Sequence, residues 1–227
     1  MLGGDGQVIA AAHIPCSLEE AFSMVKPGEI IRFDDGKIGG RIVSATDEQI
    51  VVRITYTGPR AAKLRPEKGI NLPETDLAIS ALTEKDLQDL AFLVKHVDMV
   101  GLSFVRTPED VFQLEQHLER LGGSQIGVVL KVENRQGFEN LPRLLLAAMH
   151  SPPVGVMVAR GDLAVEVGFE RLAEVQEEIL WLCEAAHVPV IWATQVLEGL
   201  AKTGSPTRAE VSDAVMSGRA ECVMLNK

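Results

Sequence analysis

The chain has 227 residues, of which 46% are hydrophobic and 24% charged, and its formal net charge is −10. This apolar content excludes a disordered protein, and the lack of a basic stripe interleaved with aromatic residues argues against nucleic-acid binding. No apolar run reaches the length of a membrane span, the N-terminus lacks the pattern of a secretory signal, and three widely spaced cysteines predict reduced thiols, so we expect a cytoplasmic protein without a membrane partner.

Short β-strands dominate residues 1–68, which we expect to form a domain of their own. The strand candidates are residues 29–35, 37–43 and 49–57. Asp35-Gly36 between the first two is a strong signal for a hairpin turn, and the third is dense in β-branched residues. The pattern predicts a small antiparallel barrel or sandwich. Residues 61–76, which contain two prolines and a glycine, are expected to be a linker.

Helical and strand patterns alternate through the second predicted domain, residues 69–227. The strand candidates are residues 97–104, 126–132, 154–160, 188–194 and 221–225. Short, nearly continuous apolar runs are typical of parallel strands that are buried on both faces. The repeated βα units predict an α/β fold, either an open doubly wound sheet or part of a (β/α)8 barrel. About five βα units are too few for a complete barrel, so we expect a part of a larger protein.

The predicted helices carry start signals and an apolar stripe. Thr83 with Asp86 forms a variant of the capping box, and Thr107-Pro108 opens the next helix. In the long helix over residues 170–187 one face is apolar, and its members are Leu172, Val175, Ile179, Leu182 and Cys183. We expect this stripe to belong to the core.

Four successive strands of this domain carry polar residues at their carboxyl ends. The residues are Ser103, then Lys131 and Glu133, then Arg160, Gly161 and Asp162, and finally Thr194 and Gln195. Lys131 and Glu133 are two positions apart, so their side chains leave the same face of the strand. Parallel βα sheets and barrels build their active sites at this end of the strands. The sequence therefore predicts an active site here.

Each of these side chains also has a structural interpretation. Lys131 and Glu133 suit a buried ion pair, Asp162 suits a helix cap, and Thr194 suits a core threonine. Together, an ammonium, two carboxylates and a hydroxyl are better explained by a site for a hard divalent cation such as Mg²⁺, with the lysine beside a transferring phosphoryl group. The chain has no HxH or HExxH spacing for zinc and no P-loop or GxGxxG motif for nucleotides.

Longer segments around these residues resemble the pyruvate kinase family, in the family's order. The barrel segments are DMVGLSFVR (98–106), LKVENRQGF (130–138), VMVARGDLAVE (156–166), VPVIWATQVLE (188–198) and SPTRAEVSDAV (205–215). KGINLPE (68–74) is similar to the family's re-entry into the barrel after its mobile lid, and VKPGEIIRFDDGKI (25–38) is similar to the lid. The resemblance implies a partial (β/α)8 TIM-type barrel with a small β-barrel lid domain.

The resemblance also implies an activity, namely Mg²⁺-dependent or Mn²⁺-dependent phosphoryl transfer from phosphoenolpyruvate to ADP, which gives pyruvate and ATP. Lys131 would stabilise the transferring phosphoryl group. Glu133 and Asp162 would hold the divalent cation that bridges the substrate. Thr194 would lie beside the methylene carbon that receives a proton.

Substrate contacts are implied for six residues, which are Lys68, Ser103, Phe104, Arg160, Gly161 and Asp162. Lys68 would contact the nucleotide phosphates. The backbone N–H groups around Gly161 and Asp162 would seat the substrate carboxylate. Ser103 with Phe104 would line the substrate site or a site for K⁺.

The sequence departs from the family at several points. The family's first three barrel strands are missing, and with them the arginine that clamps the phosphoryl group and most of the K⁺ ligands. Ala164 stands where the family usually has glycine, and Asn226-Lys227 replaces a serine-glycine-glutamate-threonine segment. We therefore expect the isolated chain to be inactive and to self-associate. A non-catalytic ligand-binding or partner-binding relative and a Mg²⁺-dependent enolpyruvate lyase or aldolase stay open as alternatives.

Overall fold

The chain contains two β-sheets of different type. The structure is a computed structural model, and it describes residues 12–58, 62–150 and 153–225. The departure noted at Asn226 and Lys227 lies outside the described residues. The first sheet is antiparallel and comes from the N-terminal part of the chain, whereas the second is parallel and carries the predicted site.

The antiparallel sheet has the strand order β3-β2-β1-β4. Its strands are β1 (Ile30–Phe33), β2 (Ile38–Ala45), β3 (Ile50–Tyr56) and β4 (Ile70–Asn71). The predicted hairpin is confirmed, because β1 pairs with β2 and Phe33 lies opposite Ile38. Asp34, Asp35 and Gly36 all have positive φ angles, and these let the chain reverse within the turn.

Two expectations for this domain need correction. The segment predicted to be a linker contains β4, which adds to the free edge of β1 because Ile70 packs against the small apolar core around Ile31 and Phe33. Within the described residues the four strands form an open sheet, with β3 and β4 at its edges, and not a closed barrel or a sandwich.

The second sheet confirms the predicted α/β fold with parallel strands. Its five strands lie in chain order, and they are β5 (Met99–Leu102), β6 (Gly127–Val132), β7 (Val154–Ala159), β8 (Val190–Ala193) and β9 (Cys222–Val223). Consecutive residues of β6, from Val128 to Leu130, are all buried, so this strand is covered on both faces. Polar groups are therefore confined to the strand ends.

Helices alternate with these strands. They are α1 (Glu84–Leu93), α2 (Pro108–Arg120), α3 (Arg135–Glu139), α4 (Leu141–Ala148), α5 (Arg160–Val167), α6 (Leu172–Ala186), α7 (Glu198–Thr203) and α8 (Arg208–Met216). The capping box at Thr83 is present, and α2 begins after Thr107 as predicted, with the Thr107 N–H donating to the Asp110 carboxylate. On α6, Val175, Ile179 and Cys183 are fully buried, which confirms that the apolar stripe belongs to the core. In the described part of the chain, no helix has both the length and the apolar character that a bilayer crossing needs.

The connection from β7 to α5 has no loop. Ala159 is the last residue of the strand and Arg160 is the first residue of the helix. The first turn of α5 therefore stands directly at the carboxyl edge of the parallel sheet, between the ends of β6 and β8.

Candidate functional site

The carboxyl ends of β5, β6, β7 and β8 meet at one edge of the parallel sheet. The pairing places Leu102 beside Leu130, Val132 beside Val158, and Ala159 beside Ala193. The polar residues that follow each strand are consequently neighbours in space, although they lie about 30 residues apart along the chain.

The Lys131 ammonium is held between two oxygen atoms. Its Nζ lies 2.8 Å from Ser103 Oγ and 2.9 Å from Glu133 Oε1. The Lys131 side chain is 26% exposed, so it is partly open to solvent. An ammonium has three N–H donors, and these two contacts leave one for a further acceptor.

Glu133 is almost fully buried and fixes the loop after β5. Its Oε2 accepts a 2.6 Å hydrogen bond from the backbone N–H of Phe104, and its Oε1 pairs with Lys131. Phe104 has a φ of 51°, a left-handed conformation that is unfavourable for a bulky residue. The structure thus brings together Ser103, Phe104, Lys131 and Glu133, as the sequence predicted.

Thr194 joins the end of β8 to the start of α5. Its Oγ1 accepts a 2.9 Å hydrogen bond from the backbone N–H of Gly161. Thr194 and the following Gln195 both have positive φ angles, 66° and 54°. The Gly161 N–H is therefore engaged by protein, and the predicted seat for a substrate carboxylate rests on the neighbouring N–H of Asp162.

The Arg160 guanidinium points into the protein. Its Nε donates to the carbonyl of Ala193 at 2.9 Å, Nη2 donates to the carbonyl of Thr194, and Nη1 pairs with Asp213 on α8. The guanidinium also lies over the ring of Trp192, 4.9 Å from its centroid. The three guanidinium nitrogens all donate to protein atoms, whereas the sequence predicted a substrate contact for this residue.

Asp162 lies in the first turn of α5 and contacts the other sheet. Its Oδ1 accepts a 3.4 Å hydrogen bond from Asn71 Nδ2 on β4. Burial raises the pKa of the Asp162 carboxyl above its ordinary value, the Asn71 hydrogen bond lowers it, the negative charge of Asp35 raises it and the positive charge of Lys131 lowers it. Asp162 thus senses charges on both sides, Asp35 of the hairpin turn and Lys131 of β6.

Glu166 lies one turn further along α5 and also interacts with Asn71. Burial raises the pKa of Glu166 to about 7, although the hydrogen bond from Asn71 acts in the opposite direction. The nearby carboxylate of Asp162 adds to the rise because two negative charges repel each other. The side chain of Asn71 thus serves two carboxylates of one helix.

Lys68 lies in the antiparallel sheet domain, beside the hairpin turn. Its Nζ is 3.2 Å from Asp34 Oδ1, and the side chain is 40% exposed. The turn lies against α5, because a Cβ placed on Gly36 would be 3.5 Å from Val165 Cγ2. Lys68, through its pairing with Asp34, therefore belongs to a turn that lies against the helix carrying Asp162.

Glu133 and Asp162 are the carboxylates with the chemistry to hold a divalent cation. No group of three or more His, Cys, Asp or Glu side chains is placed to hold a metal ion within residues 12–58, 62–150 and 153–225. Two carboxylates fit Mg²⁺, which commonly takes one or two protein carboxylates and completes its shell with water and substrate oxygens. Each Glu133 oxygen makes one contact and keeps a lone pair for a cation. That one cation is shared by both side chains stays a prediction.

Three residues of this region were missed by sequence reasoning. Asn71, Glu166 and Asp213 lie inside or beside the quoted segments 68–74, 156–166 and 205–215, but nothing in their local pattern assigns them a role. Asn71 is 91 residues from Asp162, and Asp213 is 53 residues from Arg160. Only the resemblance of the segments that contain them could have drawn attention to them.

Known proteins with similar sequences extend these observations. The family model of the pyruvate kinase barrel domain matches residues 7–227. A pyruvate kinase of Candida albicans is 41% identical over 207 residues, which are 89% of this chain and 39% of that protein. A pyruvate kinase of Clostridium acetobutylicum is 35% identical over 227 residues, which are 97% of this chain and 46% of that protein. The chain thus spans about two fifths of the length of these relatives, and the matches confirm the resemblance found in the sequence.

Proposed function

Because the chain belongs to the pyruvate kinase family, we propose that it is the part of a phosphotransferase that holds phosphoenolpyruvate and a divalent cation while the phosphoryl group passes to ADP. The products are pyruvate and ATP. The observation that carries this proposal is the position of the Lys131 ammonium, fixed between Ser103 and Glu133 on a side chain that is 26% exposed. We also propose that residues 69–227, apart from β4, which pairs with β1, form part of a (β/α)8 barrel and that residues 1–68 form a lid.

Lys131 acts on the transferring phosphoryl group. Phosphoryl transfer is catalysed mainly by positioning and by charges that are oriented before the reaction. The two oxygen contacts hold the Lys131 ammonium at one point, and its remaining N–H is directed at a phosphoryl oxygen. A lysine that was free to move would lose part of this stabilisation.

Glu133 and Asp162 would hold Mg²⁺ or Mn²⁺. When bound, the cation neutralises charge on the substrate oxygens and orients them. Glu133 is suited to this role because Lys131 and the Phe104 N–H fix its carboxylate. Asp162 is suited because α5 follows β7 without a loop, and this fixes the first turn of the helix at the edge of the sheet. A K⁺ contact is proposed only for the region of Ser103 and Phe104.

Thr194 has a hydroxyl proton that is not used by protein. Its oxygen already accepts from the Gly161 N–H, and its proton has no acceptor among the described residues. We assign this proton to the methylene carbon of enolpyruvate. A C–H bond forms there as the Thr194 O–H bond breaks, the product is pyruvate, and solvent returns a proton to the threonine oxygen.

The nucleotide is proposed to bind between the two sheets. Lys68 is 40% exposed and its ammonium pairs with Asp34 in the hairpin turn that lies against α5, and an ammonium there suits phosphate oxygens. Cys16, Cys183 and Cys222 form no disulfide among the described residues, and this supports a cytoplasmic location.

A titration with Mn²⁺ tests the proposed site on this chain directly. We expect Glu133→Gln and Asp162→Asn each to weaken Mn²⁺ binding about tenfold or more, because each variant replaces a charged oxygen ligand by an amide. The measurement is the relaxation rate of water protons as Mn²⁺ is added. Glu174→Gln, on the exposed face of α6, is the matched control and is expected to bind as the wild type does. Equal binding by all four proteins would reject the metal assignment.

A further inference from the structure

Arg160 is buried at the junction of three elements that the proposed reaction uses. It begins α5, it bonds to the end of β8, and it pairs with α8, and only 6% of the residue is exposed. A buried charge is costly unless it is paired and hydrogen-bonded. Here two carbonyls, a carboxylate and the face of Trp192 all compensate the same guanidinium.

We propose that Arg160 is a positioning residue that acts through Thr194, and that Asp213 fixes Arg160 in turn. This inference rests on the role proposed for the Thr194 hydroxyl. Arg160 does not touch the substrate in this arrangement. It determines where the carbonyl of Thr194 lies, and through the backbone it determines where the Thr194 hydroxyl points.

The backbone conformation at Thr194 requires such support. Thr194 and Gln195 both lie in the left-handed region, and Thr194 is β-branched. A non-glycine residue in this region costs on the order of 1–3 kcal/mol, and it persists only where its surroundings hold it. Arg160 donates hydrogen bonds to the carbonyl of Ala193, just before the left-handed pair, and to the carbonyl of Thr194, the first residue of that pair.

Gly161, the residue after Arg160, also bonds to Thr194. Arg160 Nη2 donates to the Thr194 carbonyl, and the Gly161 N–H donates to the Thr194 hydroxyl oxygen. Two adjacent residues of α5 therefore fix the same threonine at two points. The Gly161 N–H uses one lone pair of the Thr194 hydroxyl oxygen, so the hydroxyl proton remains available to donate.

The shape of the guanidinium is essential to this arrangement. A guanidinium is planar and donates in several fixed directions, whereas the ammonium of lysine is a single point charge. Only the planar group reaches both carbonyls and Asp213 together. Asp213 holds the far side of the guanidinium, so its carboxylate sets the angle at which Arg160 meets β8.

Amide hydrogen exchange of Gly161 tests the inference without any substrate. NMR of the unliganded chain is recorded for the wild type, Arg160→Lys and Asp213→Asn. We expect the Gly161 amide to exchange about tenfold faster or more in Arg160→Lys, because the hydrogen bond to Thr194 is loosened. Asp213→Asn keeps the arginine and the volume of the side chain, and it is expected to show an increase of about threefold. Amides within β6 should not change.

Three further proteins, namely Thr194→Val, its combination with Arg160→Lys, and Arg219→Lys, separate positioning from a general effect on the fold. In Thr194→Val the Gly161 amide has already lost its acceptor, so adding Arg160→Lys to this variant should raise exchange by less than about twofold. Arg219→Lys is the control, since Arg219 pairs with Glu177 and Glu184 away from the site, and it should leave the Gly161 amide unchanged.

Three results would overturn the inference. They are an unchanged Gly161 amide in both Arg160→Lys and Asp213→Asn, additive effects in the double variant, and a loss of protection in Arg160→Lys that is spread evenly over β6 and β8 while Asp213→Asn has no effect. The Mn²⁺ titration decides the proposed function by a different measurement. A failed titration therefore leaves the result for Arg160 interpretable.

Discussion

Lys131 and Arg160 are both cations at the edge of the parallel sheet, and their surroundings differ in a way that separates their roles. Lys131 has one buried carboxylate and one hydroxyl as partners and is partly open to solvent. Arg160 has all its nitrogens engaged and is buried. Every guanidinium nitrogen of the buried Arg160 bonds to protein, which suits it to holding the protein in place, whereas Lys131 has a donor left in a partly exposed side chain, which suits it to a substrate.

The Glu166 carboxyl gives the pH dependence of stability a definite sign. Its pKa is about 7 in the folded chain against an ordinary value of 4.5, so the folded state binds the proton more tightly than the unfolded state. The associated stability is present below about pH 4.5 and is lost as the pH rises through about 7. We expect the wild type to lose on the order of 1–3 kcal/mol between pH 5 and pH 8 relative to Glu166→Gln.

Urea unfolding of both proteins at pH 5 and pH 8 measures this difference. Glu166→Gln keeps a group that can bond to Asn71 but cannot ionise, so the comparison removes the contributions of all other titrating groups. If the free energy of unfolding changed by the same amount in the wild type and in the variant between the two pH values, Glu166 would have an ordinary pKa.

The start of α3 supports the loop that carries Ser103 and Phe104. Asn134 caps the helix by accepting from the Gly137 N–H at 2.7 Å, and its amide donates to the carbonyl of Val105 at 3.3 Å. Further along, Asn140 donates to the carbonyl of Arg106 at 2.8 Å. Two asparagine side chains therefore satisfy carbonyls of the loop that follows β5.

We expect Gly137→Ala to destabilise the chain by about 1–3 kcal/mol, because a Cβ at this position would overlap the carbonyl oxygen of Val105. Urea unfolding provides the measurement. Gly69→Ala is the control, since no heavy atom would lie within 4 Å of its new Cβ, and a change within about 0.5 kcal/mol is expected there. Equal stability of the two variants would mean that the loop moves away from α3 at little cost.

Elements that depend on neighbouring residues could be predicted from the sequence, and contacts between distant segments could not. The five parallel strands follow from apolar runs, and the helix starts at Thr83 and Thr107 follow from capping patterns. β4 was missed because a strand of two residues has no periodicity and forms only where β1 offers an edge.

The same distinction holds within the site. Lys131 and Glu133 are related by the alternation of a single strand, so their shared face could be predicted. The direction of the Arg160 side chain depends on Asp213 and on the carbonyls of β8, and these contacts exist only after the sheet has formed. The left-handed conformation of Thr194 has no signal in the sequence, because threonine rarely adopts it.

At the scale of the whole molecule, the parallel sheet ends in two edge strands within the described residues. These are β5 and β9, and β5 carries Met99, which is 60% exposed. An uncovered edge with apolar side chains favours pairing with another chain. The edges thus support the expected self-association.

We expect the wild-type chain to run as a dimer or larger species in size-exclusion chromatography with light scattering, and Met99→Lys to shift it toward the monomer. A charge on an edge strand disfavours pairing between edges. Phe92→Lys, on α1 and equally exposed, is the control that should not dissociate the assembly. If both variants behave alike, the association does not use this edge.

A coupled assay on the same fractions addresses turnover by the isolated chain. We expect no measurable formation of pyruvate, because phosphoryl transfer uses several cationic groups together and the chain spans about two fifths of the length of its relatives. Robust turnover by a monomer would contradict this expectation. Pyruvate formed from a substrate without ADP would instead favour a lyase.

Because β7 passes into α5 without a loop, this part of the chain should not tolerate the insertion or deletion of a residue. One residue inserted between Ala159 and Arg160 would rotate the helix by about 100° and carry Asp162 and Arg160 away from their partners together. The polar turn between β2 and β3, which contains Asp47 and Glu48, contacts none of these groups and has room to grow outward. Among natural variants of this sequence, insertions and deletions should therefore collect in that turn and be absent where β7 becomes α5.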